Sequence, residues 1–501
     1  MPQPPPSAAT CDLLVIGGGV NGAGIARDAA GRGLSVVLVE RNDLASATSS
    51  ASSKLIHGGL RYLEQYEFRL VAEALAEREV LLATARHLVW PARFIMPHVP
   101  DLRPRWMIRT GLFLYDHLAR RASLAGSNAV RLDRPPLNSG LKPEFRHGFE
   151  YSDCRVDDAR LVVANAMSAR DLGADVRVGT ECVRASRENG AWRAVLSDGK
   201  EVLARAIVNA AGPWVKLTLN GHLAQPSADA VRMVKGSHVV LPKLYEGGHA
   251  FILQNEDRRV VFMIPYEGQF TLVGTTDVAV EEPARPEATA QEVEYLCRAV
   301  NRYLALPARP ENVLWKYSGV RPLYDDGSSD PSSVTRDYTL RVDDEAGRAP
   351  VLSVFGGKIT TFRRLAEHAL EKLQPYFPDC KSSWTARAPL PGSDFGSGGR
   401  QAAQAALAGR YPRIPGALMR AVFRRHGAIT PHVLGDASTA SDLGEDFGAH
   451  LTEREIAWFV EHEWARTAED VLWRRSKAGL HMSESQRARL AQRMGEHAPA
   501  R

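Results

Sequence analysis

Residues Asp12 to Glu40, DLLVIGGGVNGAGIARDAAGRGLSVVLVE, constrain the fold of this chain more than any other stretch. An apolar run, Leu13–Ile16, enters a glycine-rich turn. A helix of small residues follows, and a second apolar run, Val36–Val39, ends on the acid Glu40. Gly17-x-Gly19-x-x-Gly22 has the spacing of a βαβ unit that binds a dinucleotide. Gly17 permits the tight turn, Gly19 lets the backbone approach a pyrophosphate, and Gly22 lets the helix pack close to the strand. The helix N-terminus offers N–H groups and a positive dipole end to the phosphates. Glu40 stands where a ribose 2′-hydroxyl is bound. Glycine spacing alone is weak evidence. Strand, turn, helix, strand and acid in that order separate this segment from an ordinary α/β turn.

A length of 501 residues, 44% of them hydrophobic, allows two or three domains. The net charge of +5 suits an anionic substrate or an anionic membrane surface, and is too weak and dispersed to argue for nucleic acid. Cys11, Cys154, Cys182, Cys297 and Cys380 form no CxxC pair and no Cys/His ligand spacing, so reduced thiols, a cytoplasmic compartment and no metal are expected. The opening MPQPPPSAATCD lacks the basic and apolar regions of a signal peptide and reads as a disordered lead-in over residues 1–10. No stretch reaches the length of a transmembrane helix, which makes any membrane contact peripheral.

Further along, a charged amphipathic helix is expected from about Phe68 to His87, while the proline-rich Trp90–Pro104 is no regular helix. Trp106–Leu118 (WMIRTGLFLYDHL), flanked by Arg103, Arg105, Arg120 and Arg121, reads as a buried helix with solvated ends, with a membrane-surface segment as the alternative. Asp158–Asp171 predicts a helix, Val176–Arg184 a strand, and Ala204–Asn209 a strand running into Ala210-Ala211-Gly212, a second approach to the cofactor. Between Gly236 and Asp277 the runs alternate in antiparallel fashion and suggest a mixed sheet forming a substrate lid. Val351–Phe355 is a buried-type strand leading into Gly356-Gly357-Lys358 and a helix with Ile359, Phe362, Leu365, Ala366, Ala369, Leu370 and Leu373 on one face.

The fold class expected is α/β: a Rossmann-like FAD-binding domain, a mixed or antiparallel-sheet substrate domain and a C-terminal all-helical cap. The first two interleave over 11–388, the FAD part taking about 11–90, 150–225 and 335–388 and the substrate part about 91–149 and 226–334. Residues 389–400 form a Pro/Gly/Ser linker and 401–501 the cap. FAD is favoured over a nicotinamide because the nucleotide-binding pieces lie far apart, as an extended cofactor requires. Gly356-Gly357 lets backbone approach a flat ring, and Lys358 with the following helix start offsets charge at the N1/O2 edge of a reduced flavin.

The strings IGGGVNGAGIARDAAGRG, TSSASSKLIHGGLRYLE and GGKITTFRRLAEHALEKL resemble the signatures of FAD-dependent glycerol-3-phosphate dehydrogenases of the bacterial aerobic, quinone-linked type. The resemblance runs from Asp12 to about Gly479 and includes KGSHVVLP, LQNEDRRVVF, YSGVRPL, TRDYTL and SDLGEDFG. Phe362 stands where the family usually has Tyr, and Ala211 where relatives often have Thr; neither position needs to do chemistry. The resemblance implies oxidation of sn-glycerol 3-phosphate to dihydroxyacetone phosphate, with hydride passing from C2 to the flavin. It further implies membrane quinone as acceptor, peripheral attachment to the inner face of the cell membrane and a homodimer. An oxidase using oxygen is the nearest rival, and a non-catalytic flavin-binding protein the more distant one. No His or Cys attachment motif is evident, so the FAD is expected to be non-covalent.

Arg321 in YSGVRPL and Arg336 in TRDY sit in non-periodic loops where solvated arginine is the ordinary reading; the resemblance makes both phosphate clamps. It also places Arg61 and Tyr62, after HGGL, in the substrate pocket, with Thr361 nearby. The base is His238 in GSHVV or His57 in LIHGG; His238 is preferred, with His57 a flavin-side contact, and a satisfied core histidine remains the alternative for His238. Lys358, Ile359 and Thr360 face the flavin, with Gly212 and Gly357 beside the cofactor; Thr48, Ser49 and Ser53 bond the pyrophosphate or ribityl chain, and Val183 meets adenine through its backbone. Trp458, Trp464 and Trp473, with Ile456, Phe459 and Leu472, read as core of the cap.

Overall fold

The computed structural model describes residues 9–227, 229, 231–257, 259–283, 286–325 and 337–496. The first strand, Ala9–Ile16, begins inside the expected lead-in. It pairs in parallel with Val36–Glu40 on one side and Glu201–Asn209 on the other. Asp175–Val178 and Arg348–Phe355 extend this parallel sheet outward, and Thr339–Glu345 closes one edge antiparallel. Leu13, Leu14 and Val15 are fully buried, so both faces of the strand are covered, which explains an unbroken apolar run in place of alternation. Helices Val20–Gly31 and Phe362–Leu373 cover one face. Gly24 makes their approach possible: a Cβ there would lie 2.8 Å from the buried Phe362 ring.

The single strand expected over Val176–Arg184 is two, Asp175–Val178 and Cys182–Glu188, because Gly179 turns the chain at φ +70°. The helix expected from Ile359 starts three residues later, at Phe362, behind the N-cap position Thr361.

A ten-stranded second sheet carries Val231–Pro242 and Phe270–Gly274 near one end and Val89–Pro97, from the proline-rich stretch, near the other. Trp315–Tyr324 pairs with Val231–Pro242, setting His238 opposite Tyr317 and Val234 opposite Arg321. These strands, from which the alternation suggested a lid, are paired into one wall of the molecule.

Helix Arg105–His117 corrects the buried reading of that segment. Only Ile108, Leu112 and Tyr115 are buried, while Trp106 is 68% and Phe113 56% exposed, with Met107 and Leu114 also outward. Its inner face is fastened by a hydrogen-bond network: the Tyr115 hydroxyl donates to Asp153 (2.8 Å) and accepts from the Gly58 N–H (2.8 Å), and Arg78 pairs with the same carboxylate at 2.7 Å. Among the described residues, no helix is long and apolar enough to cross a membrane.

Beyond the linker, helices Gly399–Arg410, Gly416–His426, Glu453–Glu463 and Glu484–Glu496 build two small cores, one around Val422 and Phe423, the other around Ile456, Phe459 and Leu472. Trp458 and Trp464 are half-buried against the α/β body. Trp473 is not a core residue alone: it stacks on Trp315 of the second sheet, ring centres 4.7 Å apart. Arg475 pairs with Asp43 at 2.7 Å and Arg424 with Glu267 at 2.5 Å, so ion pairs fix how the helices dock. Removing one partner of a buried pair costs about 3–5 kcal/mol because the other charge is left uncompensated.

Candidate functional site

A cavity of about 330 Å³ runs along the C-terminal ends of the parallel strands and onto the wall of the second sheet. At its start the glycine turn is fixed by contact. Gly17, at φ +111°, has no room for a Cβ, which would sit 2.6 Å from the Ala210 carbonyl oxygen; one on Gly22 would lie 1.9 Å from the Gly17 carbonyl. The turn thus touches the loop after Glu201–Asn209. Glu40 accepts from the Gly18 N–H at 2.7 Å and the Asn42 N–H at 2.8 Å. Burial raises its carboxyl above the ordinary range, against those two hydrogen bonds. Gly19 lines the cavity at the N-cap of helix Val20–Gly31.

Thr48, Ser49 and Ser53 all line the cavity, but each hydroxyl already has a protein partner. Thr48 donates to the Val320 carbonyl (2.6 Å), Ser49 accepts from the Val20 N–H (3.0 Å), and Ser53 shares a hydrogen bond with His238 Nε2 (2.9 Å). Gly356, Gly357, Lys358, Ile359 and Thr360 form the opposite wall. The Lys358 ammonium lies 3.9 Å from the centre of the Tyr62 ring, a cation–π contact. The His57 N–H donates to the Thr360 hydroxyl at 3.2 Å, which joins the HGG loop to this turn.

His238 is 3% exposed and stacks on Tyr317, ring centres 4.8 Å apart and planes within 13°. Burial pushes its imidazole down to about 3, and the positive charges of Lys54 and Arg321 push the same way. Its Nδ1 is buried without a hydrogen-bond partner among the described residues. Gly274 makes the seat: a Cβ there would lie 2.0 Å from the ring. Arg321 Nη2 donates to Asp277 (2.6 Å) and to the Thr276 carbonyl (2.9 Å), which holds the guanidinium on the cavity wall. Lys54, buried, pairs with Asp158 at 2.7 Å and lies 4.7 Å from the Tyr317 ring.

Most of the expected site residues meet in this one cavity: Gly17, Gly19, Glu40, Thr48, Ser49, Ser53, His57, Tyr62, Gly212, His238, Arg321, Gly357, Lys358, Ile359 and Thr360. Gly22 stands behind the turn, in packing contact with Gly17. Arg321 lies on a strand and not in a loop. Arg61 and Thr361 do not line the cavity, and Thr361 is fully buried ahead of its helix. Val183 is 47% exposed and off the lining, while Cys182 next to it faces in. Arg336 lies outside the described residues. Sequence reasoning missed Asn21, Lys54, Gly274, Thr275 and Tyr317. Strand alternation was the available signal for the last, since Tyr317, Gly319 and Arg321 occupy one face of Trp315–Tyr324.

An extended dinucleotide fits these residues. The cradle at Gly17 and Gly22 admits no side chain, and Asn21 Oδ1 is buried beside Gly357 without a partner among the described residues while its Nδ2 donates to the Gly356 carbonyl at 3.3 Å. The model of the FAD dependent oxidoreductase family matches residues 12–363, and that of the C-terminal domain of alpha-glycerophosphate oxidase matches 383–498. The chain is 52% identical over 498 residues to the aerobic glycerol-3-phosphate dehydrogenase of Escherichia coli K12, covering 98% of this chain and 99% of that one. It is 50% identical over 485 residues to the D-erythritol 1-phosphate dehydrogenase of Brucella abortus, covering 96% of each. Among solved structures, the glycerol-3-phosphate dehydrogenase of Bacillus halodurans complexed with FAD superposes with a TM-score of 0.73 at 24% identity, covering 97% of this chain and 94% of that one.

Proposed function

The chain belongs to the FAD-dependent glycerol-3-phosphate dehydrogenases, and from that premise we propose that it oxidises the C2 hydroxyl of sn-glycerol 3-phosphate to dihydroxyacetone phosphate. FAD is its cofactor, and when bound it supplies the hydride acceptor. The observation that carries the assignment is one juxtaposition. A neutral, buried imidazole and a guanidinium share the cavity with the Gly356–Thr360 turn.

Arg321 meets the substrate phosphate already oriented, because Asp277 and the Thr276 carbonyl hold it. His238 is kept neutral by burial, Lys54 and Arg321, so it is competent to accept a proton. In the tautomer that carries its proton on Nε2, Ser53 accepts that hydrogen bond and Nδ1 is the acceptor for the C2 hydroxyl proton. A dianion beside Arg321 offsets that positive charge, so substrate binding raises the basicity of the imidazole when it is needed. His57, tied through its backbone to Thr360, keeps the positioning role. Gly17, Gly19, Gly22 and Glu40 would hold the adenosine and pyrophosphate end, and Lys358 with Tyr62 would close the flavin edge.

The deciding experiment is anaerobic addition of sn-glycerol 3-phosphate to the purified yellow protein. Loss of the oxidised flavin band is expected, and an unchanged spectrum would sink the reading. Faster bleaching by D-erythritol 1-phosphate would move the substrate to that of the Brucella relative.

Electrons then pass to membrane quinone and the protein sits peripherally on the inner face of the cell membrane. The outward apolar face Trp106, Met107, Phe113 and Leu114, with Arg103, Arg105, Arg120 and Arg121 around it, supports a seat on an anionic bilayer. Co-sedimentation with phosphatidylglycerol vesicles should be lost in the double variant Trp106→Ser/Phe113→Ser; retention would place the contact elsewhere. Peroxide release in air at the rate of quinone reduction would favour oxygen as acceptor. The family resemblance supports a homodimer, which sedimentation analysis would read directly.

A further inference from the structure

A second cavity, of about 430 Å³, lies where the second sheet meets the C-terminal helices. Six cationic side chains line it, Lys54, Arg155, Lys243, Arg400, Arg424 and Lys477, against the two carboxylates Asp157 and Glu267. The charges do not balance within the lining. Glu267 is taken by Arg424 through two hydrogen bonds of 2.5 and 2.6 Å, and Asp157 lies 3.6 Å from Lys477. Lys54 turns to Asp158 and Lys243 to Glu246. Arg155 and Arg400 pair with no carboxylate among the described residues; they donate only to the carbonyls of Pro265 (3.0 Å) and Arg86 (3.5 Å). Burial and the like charge of Arg424 hold both guanidinium groups below the ordinary arginine range. Two further donors point the same way. Arg155 Nε and the hydroxyl of Tyr266, a residue 7% exposed, are buried without a hydrogen-bond partner among the described residues. A desolvated cation and an orphaned hydroxyl both carry a cost that an anion would relieve. Trp90, Ile264 and Phe270 add apolar wall for a short carbon skeleton.

We propose that this second cavity binds a small phosphate monoester, held by Arg155 and Arg400 with the Tyr266 hydroxyl as a further donor. The occupant is placed to modulate turnover. Lys54 lines this cavity, lies 4.7 Å from the Tyr317 ring, and Tyr317 stacks on His238. Neutralising charge around Lys54 therefore reaches the imidazole that abstracts the proton. The modulation rests on the role given to His238 above; the binding does not.

The test uses FAD-loaded protein carrying Arg321→Ala, which removes the phosphate clamp of the first cavity, titrated calorimetrically with inorganic phosphate. One saturable site is expected, weakened at least tenfold by Arg155→Gln and by Arg400→Gln and restored by Arg155→Lys. No saturable heat, or an affinity unchanged from the parent in both glutamine variants, overturns the site. Binding of phosphatidylglycerol vesicles that depends on Arg155, without binding of free phosphate, overturns the soluble ligand in favour of a lipid headgroup. With Arg321 intact, phosphate should change kcat at saturating substrate severalfold, and Arg400→Gln should abolish that change. An unchanged kcat with intact binding overturns the coupling alone.

Discussion

The two ends of the catalytic cavity are built by opposite strategies. The end that would take the adenosine comes from one continuous stretch, Gly17 to Glu40, in which Gly17 and Gly22 meet backbone too closely for any side chain. The substrate end gathers Ser53, Tyr62, His238, Arg321 and Lys358 from separate segments, and sheet register brings them together. The first end is steric and tolerates nothing. The second is electrostatic: its geometry rests on Gly274 and Tyr317, its chemistry on charges that keep one imidazole neutral. Cofactor retention and turnover should therefore separate cleanly by mutation.

The largest effect is expected from Gly22→Ala. A Cβ 1.9 Å from the Gly17 carbonyl must displace the turn, and the purified protein should lack flavin absorbance; normal flavin content would break the steric account. His238→Gln should do the reverse, keeping full flavin content while kcat falls by about 10²–10⁴-fold, the usual worth of a general base. Arg321→Ala should raise KM by roughly 10²-fold with flavin retained, since charge-assisted hydrogen bonds contribute about 1.5–3 kcal/mol each. Unchanged KM would return Arg321 to a structural role with Asp277. Glu40→Gln should weaken FAD binding about tenfold, as two backbone N–H groups lose a charged acceptor, and leave kcat at saturating FAD unaltered.

The smallest effect concerns pH. His87, His238 and His426 are buried, and each lies below its ordinary range because burial disfavours the charged form. An unfolded chain takes up these protons from about pH 6.5 downward. The stability they allow is thus present above about pH 6.5 and declines as pH falls toward the folded values, about 3 for His238. Tm should drop between pH 6.5 and 5, and drop less in His238→Gln; equal slopes would show that His238 is not held neutral.

The same contrast explains what could be read from the sequence. Gly17, Gly19, Gly22 and Glu40 announce themselves because their constraint is local in the chain, and so do the buried parallel strands with their unbroken apolar runs. Arg321 reads as a loop residue because Gly319 and Pro322 flank it. Trp315–Tyr324 tolerates that proline because, among the described residues, it pairs only with Val231–Pro242. Recognising the strand would have put Tyr317 and Arg321 on one face. Helix Arg105–His117 was misjudged for a different reason. It is apolar on two sides, and periodicity does not say which side the rest of the molecule covers.

That helix has one more consequence. Its outward side is greasy, yet Tyr115 on its inward side holds the backbone of Gly58, the residue after His57. Exterior and reaction chamber are thereby linked through one phenol. The loop beside His57 is thus anchored, at one hydroxyl oxygen, to the segment whose other side faces solvent.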